Sequence, residues 1–238
     1  MNIEISLEEL LKNGSHFGHN KKRWNPKMEK FIYGEKNGTH ILDLRKSLPL
    51  IENALKFAFE SAKNKKKFLF VSTKKQHSEL VENIAKETGN FYVNFRWLGG
   101  MITNWNTVKN SINTLNSYES ILSSEDTVFT KKELSDIEKK KARLEKTLGG
   151  IVEMKSTPDV LFIIDTNREH IAVLEAKKLG IPIIGIVDTN CDPDIIDYPI
   201  PANDDGVKSV QFILDNFKKV LINTSEEEPK KEGENSNE

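Results

Sequence analysis

The sequence predicts an α/β protein with a doubly wound, mainly parallel, flavodoxin-like sheet and helices on both faces of that sheet. Three continuous apolar runs, 67–73, 160–165 and 181–188, are typical of strands buried on both faces. Helical segments at 75–88 and 167–179 follow the first two runs. Strands that alternate with helices in this way indicate right-handed crossovers between parallel strands.

Glycines mark the predicted turns. Gly89 and Gly180 follow the two crossover helices, where glycine commonly ends a helix in left-handed backbone. Nearer the N-terminus, the β-prone runs 31–33 and 39–42 flank Asn37-Gly38, a strong turn signal. The sequence therefore predicts a small β-hairpin ahead of the main sheet.

Two helices are predicted around this hairpin. The first begins after Ser6, which forms a capping-box pattern with Glu9. The second covers 47–63, with Ser47 as its expected cap and Pro49 in its first turn.

A helical arm is predicted to interrupt the α/β domain. Segments 104–122 and 131–149 each carry a narrow apolar stripe at helical spacing, and Thr130 with Glu133 forms another capping box. A narrow stripe on each helix favours an antiparallel, coiled-coil-like hairpin that protrudes from the sheet.

The chain is therefore divided into one domain, an arm and a tail. Residues 1–103 and 151–222 are expected to form the single α/β domain, and 104–150 the inserted arm. Residues 223–238 have almost no apolar content and are expected to form a disordered acidic tail.

The overall charge conceals a basic half and an acidic half. The 238 residues carry a formal net charge of -1. Residues 1–150 hold 26 Lys and Arg against 18 Asp and Glu, a net of +8, whereas 151–238 hold 9 against 18, a net of -9. Such a molecule can turn a basic face towards a polyanion, although the near-neutral total predicts weak binding to arbitrary RNA.

The sequence favours a cytoplasmic protein. A single cysteine, Cys191, excludes internal disulfides and multi-cysteine zinc sites, and it is expected to be an unreactive thiol. The N-terminal residues lack the pattern of an export signal, and no window approaches the roughly 18 apolar residues of a membrane span.

The segment 96–105, RWLGGMITNW, has the chemistry of an RNA-contacting loop. Arg96 offers a planar fork of donors, Trp97 and Trp105 offer stacking faces, and the paired glycines allow close approach of backbone. However, tryptophan beside a strand end is more often part of the core than of a contact surface, and Gly-Gly more often makes a turn than a binding loop.

A second segment, 14–28, repeats this chemistry. Its sequence GSHFGHNKKRWNPKM sets basic residues around Trp24, and Asn25-Pro26 breaks any helix. The basic residues of this loop are Lys21, Lys22, Arg23 and Lys27. A solvated face explains the lysines, but it does not explain an aromatic residue among them.

Several long motifs in a fixed order resemble the bacterial ribosomal protein S2 family. They are GSHFGH, RWNPKM, FIYGEKNGTHILDLRKS, RWLGGMITNW, PDVLFIIDTNREHIAVLEAKKLGIPIIGIVDTNCDPD and YPIPANDDGVKSV, and the resemblance runs from about Ile5 to Leu221. It implies a non-enzymatic structural constituent of the small ribosomal subunit, located in the ribosome at the junction of head and body. It also implies the coiled-coil arm and, as neighbours, ribosomal RNA and other small-subunit proteins, notably the multi-OB-fold protein one.

Residue chemistry and these motifs together predict an RNA-binding set. Basic side chains would neutralise phosphates, while aromatic and amide groups shape the fit to irregular RNA. The set is Lys21, Lys22, Arg23, Trp24, Asn25, Lys27, Lys74, Lys75, Arg96, Trp97, Asn104 and Trp105.

An enzyme of the same fold is the main alternative. Ligands of doubly wound sheets lie beyond the carboxyl ends of the strands, where Lys74-Lys75, Arg96, 165–168 and 188–190 fall. These groups suit a nucleotide or sugar phosphate, but the sequence after the first strand, STKKQHSEL, has neither glycine-rich phosphate loop. No catalytic arrangement is predicted. A protein-only scaffold that uses the helical arm is the other alternative.

A metal site is considered at two places. His16 and His19 are three residues apart, and acidic residues gather in the C-terminal half at Asp188, Asp192, Asp194, Asp204 and Asp205. Oxygen-rich groups such as the Asp188, Asp192, Asp204 and Asp205 set can hold Mg²⁺. Aspartates in turns and at helix caps explain the same pattern, so no metal or other cofactor is predicted.

Overall fold

The computed structural model describes residues 5–124 and 129–226 and contains two β-sheets. In chain order the helices and strands are α1 (Leu7–Lys12), β1 (Phe17–Asn20), β2 (Ile32–Lys36), β3 (Thr39–Leu42), α2 (Leu44–Lys63), β4 (Phe68–Val71), α3 (Ser78–Glu87), β5 (Phe91–Val93), α4 (Trp105–Ser123), α5 (Lys131–Leu148), β6 (Val160–Ile164), α6 (His170–Leu179), β7 (Ile183–Val187), β8 (Tyr198–Pro201) and α7 (Val207–Glu226).

The larger sheet confirms the predicted doubly wound fold. Its five strands are parallel and lie in the order β5-β4-β6-β7-β8, with Phe70 beside Phe162 and Ile163 beside Gly185. Because β4 pairs with β5 on one side and β6 on the other, the winding reverses between β4 and β6. This reversal places the switch point of the fold at the carboxyl ends of those two strands.

Helices cover both faces of this sheet. On one face, α2, α3 and α7 pack against alternate strand residues that include Phe68, Phe70 and Phe162. On the other face, α6 and the first half of α4 pack against the intervening residues, such as Leu69 and Leu161. All of these strand residues are at most 1% exposed, which accounts for the continuous apolar runs in the sequence.

The smaller sheet contains the predicted hairpin and one strand that was not predicted. Strands β2 and β3 are antiparallel, and Asn37 and Gly38 have φ angles of 53° and 79°, as a two-residue hairpin turn requires. Strand β1 pairs with β3 on its other edge. Its sequence, FGHN, has one large apolar residue and carries no alternation by which it could be recognised.

The predicted start of α2 was wrong. The helix begins at Leu44, and the Asp43 carboxylate caps it by accepting a 3.2 Å hydrogen bond from the Arg45 N–H. Ser47 is buried within the first turns and donates its hydroxyl to the Asp43 carbonyl oxygen at 3.3 Å. The capping box of Ser6 and Glu9 is confirmed.

Helices α4 and α5 contact each other, and Lys141 lies 3.1 Å from Glu119 between them. The capping box of Thr130 and Glu133 is confirmed at the start of α5. Residues 125–128, in the link between the helices, lie outside the described residues. The protruding arm therefore stays a prediction.

Helix α7 extends further than expected. Residues 223–226 are helical although they were assigned to the tail, and the Thr224 hydroxyl donates a 3.1 Å hydrogen bond to the Val220 carbonyl oxygen one turn earlier. The rest of the predicted tail, 227–238, lies outside the described residues. Among the described helices, none combines the length and apolar character that crossing a membrane requires.

Candidate nucleic-acid interface

A group of charged side chains lies at the carboxyl ends of β4, β6 and β7. Lys74 is at its centre, with its ammonium nitrogen 2.7 Å from Asp165, 2.9 Å from Asp204 and 2.8 Å from Asp205. Burial alone would lower the pKa of Lys74, but attraction to Asp204 and hydrogen bonds with Asp165 and Asp205 raise it above its usual value. This lysine, which was predicted to bind RNA, is 13% exposed and already has three anionic partners.

His19 joins the smaller sheet to this group. Its Nδ1 lies 2.9 Å from the buried Asp188 carboxylate, and its Nε2 lies 3.2 Å from Asp205. The hydrogen bond with Asp188 is the main reason why the pKa of His19 is raised to about 9. Burial, together with the charges of Asp188 and Asp165, raises the pKa of Asp204 to about 7.

Thr189 fixes the smaller sheet and the following loop in place. Its hydroxyl oxygen accepts a 2.9 Å hydrogen bond from the His19 N–H, and its carbonyl oxygen accepts one of 2.7 Å from the Asn25 N–H. Gly18 is needed at this contact, since an added Cβ would lie 2.6 Å from the Thr189 methyl group. The basic loop is thereby held against the end of β7.

Two sets of side chains have the spacing of metal ligands. The ligand atoms of His19, Asp204 and Asp205 lie within 4.8 Å of one another, as do those of Asp165, Cys191 and Asp204. Burial raises the pKa of Cys191 to about 12, which keeps the thiol protonated and makes it a poor ligand. Asp192, a member of the four-aspartate magnesium set considered from the sequence, belongs to neither group and pairs with Lys27 at 2.7 Å.

The basic loop divides into internally paired and outward-facing cations. Lys21 pairs with Glu35 at 2.8 Å, and Lys27 pairs with Asp192. Lys22 and Arg23 are exposed, and their side chains form no ion pair within 5–124 and 129–226. They are the cations of this loop with charge available to an outside partner.

Trp24 and Asn25 have different positions in that loop. Trp24 is 36% exposed and packs edge-on against His40, with ring centroids 5.3 Å apart. Asn25 has a local role, since its side-chain oxygen accepts a 3.0 Å hydrogen bond from the Lys27 N–H. The buried Met28 then anchors the loop in the core.

The segment 96–105 is held from inside by one carboxylate. Glu175 of α6 is 8% exposed and accepts hydrogen bonds from the Trp97 indole at 3.0 Å and from the Gly100 N–H at 2.7 Å. It also accepts from the Ile102 N–H, the Thr103 N–H and the Thr103 hydroxyl at 3.0–3.1 Å. Burial would raise the pKa of Glu175, but these hydrogen bonds hold it below its usual value.

Only part of this segment reaches the surface. Trp97 is 7% exposed and belongs to the core, and Trp105 is half-buried. Arg96 and Asn104 are exposed, as is Lys75 beyond β4. The side chains of Arg96 and Lys75 form no ion pair within the described part of the chain.

Sequence reasoning missed two residues of this region. Glu175 was not singled out because a glutamate in an amphipathic helix gives no sign of being buried. Phe95 is 57% exposed beside Arg96, and only its position next to that arginine could have drawn attention to it. Arg168 had been noted solely for the enzyme alternative.

The fold and these loops define an α/β protein whose outward-facing cations and aromatic groups suit a polyanionic surface. A family model described as ribosomal protein S2 matches residues 10–224. The chain belongs to the ribosomal protein S2 family.

Three proteins named small ribosomal subunit protein uS2 illustrate the similarity. That of Wolbachia pipientis subsp. Culex pipiens (strain wPip) is 56% identical over 88% of this chain and 78% of its own length. That of Brucella ovis (strain ATCC 25840 / 63/290 / NCTC 10512) is 50% identical over 89% and 84%. That of Chelativorans sp. (strain BNC1) is 48% identical over 92% and 82%.

Proposed function

We propose that this chain is a structural constituent of the small ribosomal subunit that binds ribosomal RNA and neighbouring ribosomal proteins during translation. The family match across residues 10–224 carries this proposal. The chain acts by holding RNA in position and is not an enzyme. Its place of action is the ribosome, in the cytoplasm.

The RNA-binding set divides by exposure. Lys22, Arg23, Lys75 and Arg96 contact phosphates, since these side chains are exposed and form no ion pair among residues 5–124 and 129–226. Trp24 provides an aromatic face beside them, and Asn104 adds a polar contact at the start of α4.

The remaining predicted residues support these contacts. Lys74 fixes the surrounding backbone from inside through its ion pairs with aspartates such as Asp165. Trp97 does so through its hydrogen bond with Glu175. The segments 14–28 and 96–105 are shaped by Lys21, Asn25, Lys27 and Trp105. The two lysines can exchange their surface carboxylate partners for phosphate.

Protein neighbours are assigned to other surfaces. Helices α4 and α5 form the arm, and protein partners contact this arm and acidic surfaces of the C-terminal half. The family resemblance supports a position at the junction of the head and body of the subunit, with the multi-OB-fold protein one as a neighbour.

Charge reversal tests the RNA-facing set. The full chain carrying Lys22→Glu, Arg23→Glu and Arg96→Glu is expressed in cells, and its distribution is followed by mass spectrometry across a sucrose gradient. We expect the wild-type chain to sediment stoichiometrically with the small subunit and the variant to remain largely at the top. The control is Lys63→Glu with Lys66→Glu, two exposed lysines at the opposite end of β4.

The position of each chain in the gradient separates this proposal from its alternatives. A folded triple variant that sediments like the wild type would overturn the residue assignment. A wild-type chain that stays at the top of the gradient would overturn the structural role and favour the enzyme or scaffold alternatives.

A further inference from the structure

A cavity of about 840 Å³ lies beside the switch point of the large sheet. Its walls come from the residues after β4, the residues after β5 and the turn after β6, and they include Thr73, Lys75, Phe95 and Arg168. This volume is within the usual range for small-molecule sites, and ligands of doubly wound sheets bind at this position. The Lys74–Asp205 ion pair described above forms part of the lining.

Phe95 gives the cavity an aromatic wall. The side chain is 57% exposed, and it also lines a second cavity of about 430 Å³ together with Tyr92 and Lys146. A phenylalanine this exposed loses most of the stabilisation that burial would give it. An aromatic face in an open polar cavity is a stacking platform for a planar base.

Two cations, Arg168 and Lys75, line the cavity, and the Nε of Arg168 lies 3.9 Å from the carboxylate of the buried Glu169. Arg168 donates its Nε–H to the Thr73 hydroxyl at 2.9 Å, and Thr73 in turn donates to the buried Glu169 at 2.6 Å. This chain of hydrogen bonds fixes the guanidinium while its terminal nitrogens have no hydrogen-bond partner within 5–124 and 129–226. Lys75 lies on the same wall without an ion pair among the described residues.

The other charged side chains near the cavity are paired with one another. Lys74 contacts Asp165, Asp204 and Asp205, and Asp205 also contacts His19. The terminal nitrogens of Arg168 and the ammonium group of Lys75 therefore keep donors without a partner among residues 5–124 and 129–226. A positioned guanidinium fork and an ammonium group suit the oxygens of a phosphate.

We propose that this cavity binds one unpaired nucleotide of RNA, with its base on Phe95 and its phosphate on Arg168 and Lys75. The inference rests on the proposed function, because ribosomal RNA is the source of the nucleotide. A single aromatic face and two cations give modest affinity for a free nucleotide. A strand already held by the basic loop presents the nucleotide at high effective concentration, which favours RNA as the source.

The test measures binding of the full chain to small subunits from which this chain has been removed. Phe95→Ala and Arg168→Ala are each expected to weaken binding about tenfold, as loss of one stacked base or one phosphate contact does. Phe95→Tyr keeps the aromatic ring and is expected to bind within about twofold of the wild type. The control is Lys63→Ala with Lys66→Ala at the opposite end of β4.

Ultraviolet cross-linking of native subunits supplies the second readout. After nuclease digestion, mass spectrometry is expected to find a nucleotide adduct on the peptide that contains Phe95. Equilibrium dialysis of the isolated chain with adenosine or cytidine 5′-monophosphate is expected to show no saturable binding below about 1 mM, as a modest site for a free nucleotide implies.

The outcomes separate this inference from the proposed function. Wild-type binding by both alanine variants, together with no adduct on the Phe95 peptide, overturns the nucleotide site while subunit binding itself persists. Tight monophosphate binding that Arg168→Ala abolishes, without any effect on subunit binding, overturns RNA as the source. A wild-type chain that fails to bind the depleted subunits overturns both.

Discussion

The indole nitrogen of Trp97 donates a 3.0 Å hydrogen bond to Glu175, a buried carboxylate 78 positions further along the chain. Three backbone N–H groups and one hydroxyl converge on the same two oxygens. The surface position of Arg96 therefore depends on a residue in α6 that is hidden from any partner.

Removal of this carboxylate should strongly destabilise the protein. In Glu175→Ala, the indole and three N–H groups lose their acceptor, and we expect a loss of about 3–5 kcal/mol in the free energy of unfolding. Urea denaturation measures the change. Glu175→Gln keeps the shape of the side chain but turns an NH₂ group towards these donors, so its free energy of unfolding should be intermediate. An alanine variant as stable as the wild type would show that these hydrogen bonds contribute little.

Lys74 should be essential to the stability of the fold because three aspartates depend on its charge. Lys74→Met leaves Asp165, Asp204 and Asp205 without their shared cation, and we expect a loss of about 3–5 kcal/mol. Adding Asp204→Asn removes one buried negative charge and should restore part of the stability. Double-mutant analysis of urea unfolding measures the coupling, and strictly additive effects would contradict it.

Stability should fall as the pH rises from about 6.5 to 9. The pKa of His19 is raised from its usual 6.5 to about 9, mainly by its hydrogen bond with Asp188. The folded state therefore holds this proton more tightly, so the stabilisation is complete below about pH 6.5 and is lost as the pH passes 9. Thermal unfolding across this range should show a smaller decline for His19→Gln, while His170→Gln, at an exposed histidine, should keep the wild-type decline.

A methyl group at Gly150 should be poorly tolerated. The glycine follows α5 and lies against Tyr92, so an added Cβ would overlap the Tyr92 carbonyl oxygen and come within 2.7 Å of its ring. We expect Gly150→Ala to cost about 1–3 kcal/mol in thermal unfolding experiments. Gly99→Ala is the matched control, because nothing lies within 4 Å of the position of its Cβ. Equal melting temperatures for the two variants would contradict this explanation.

Local sequence patterns predicted much of this fold. The capping boxes at Ser6 and Thr130 and the turn at Asn37-Gly38 depend on residues within three positions, and all three are confirmed. The strands β4, β6 and β7 were recognised because burial on both faces requires continuous apolar residues.

Features that depend on distant contacts were missed. Strand β5 has only three residues, and β8 contains Pro199 and Pro201, which are unfavourable in a strand and tolerated here at the sheet edge. The choice of Asp43 over Ser47 as a cap depends on where the chain leaves β3. The exposed part of the candidate interface could be predicted by residue type, but the buried roles of Lys74, Trp97 and Glu175 arise from residues far apart in sequence.

The attachment of the N-terminal sheet through Thr189 has a consequence for synthesis of the chain. The acceptor of the His19 N–H is the Thr189 hydroxyl, which lies 170 positions later in the chain. The basic loop therefore cannot adopt its final position until β7 has left the translating ribosome. At usual elongation rates that delay is roughly 10–35 s. Its cationic surface is thus completed late, so the RNA binding that we propose can begin only when nearly all of the sequence has emerged.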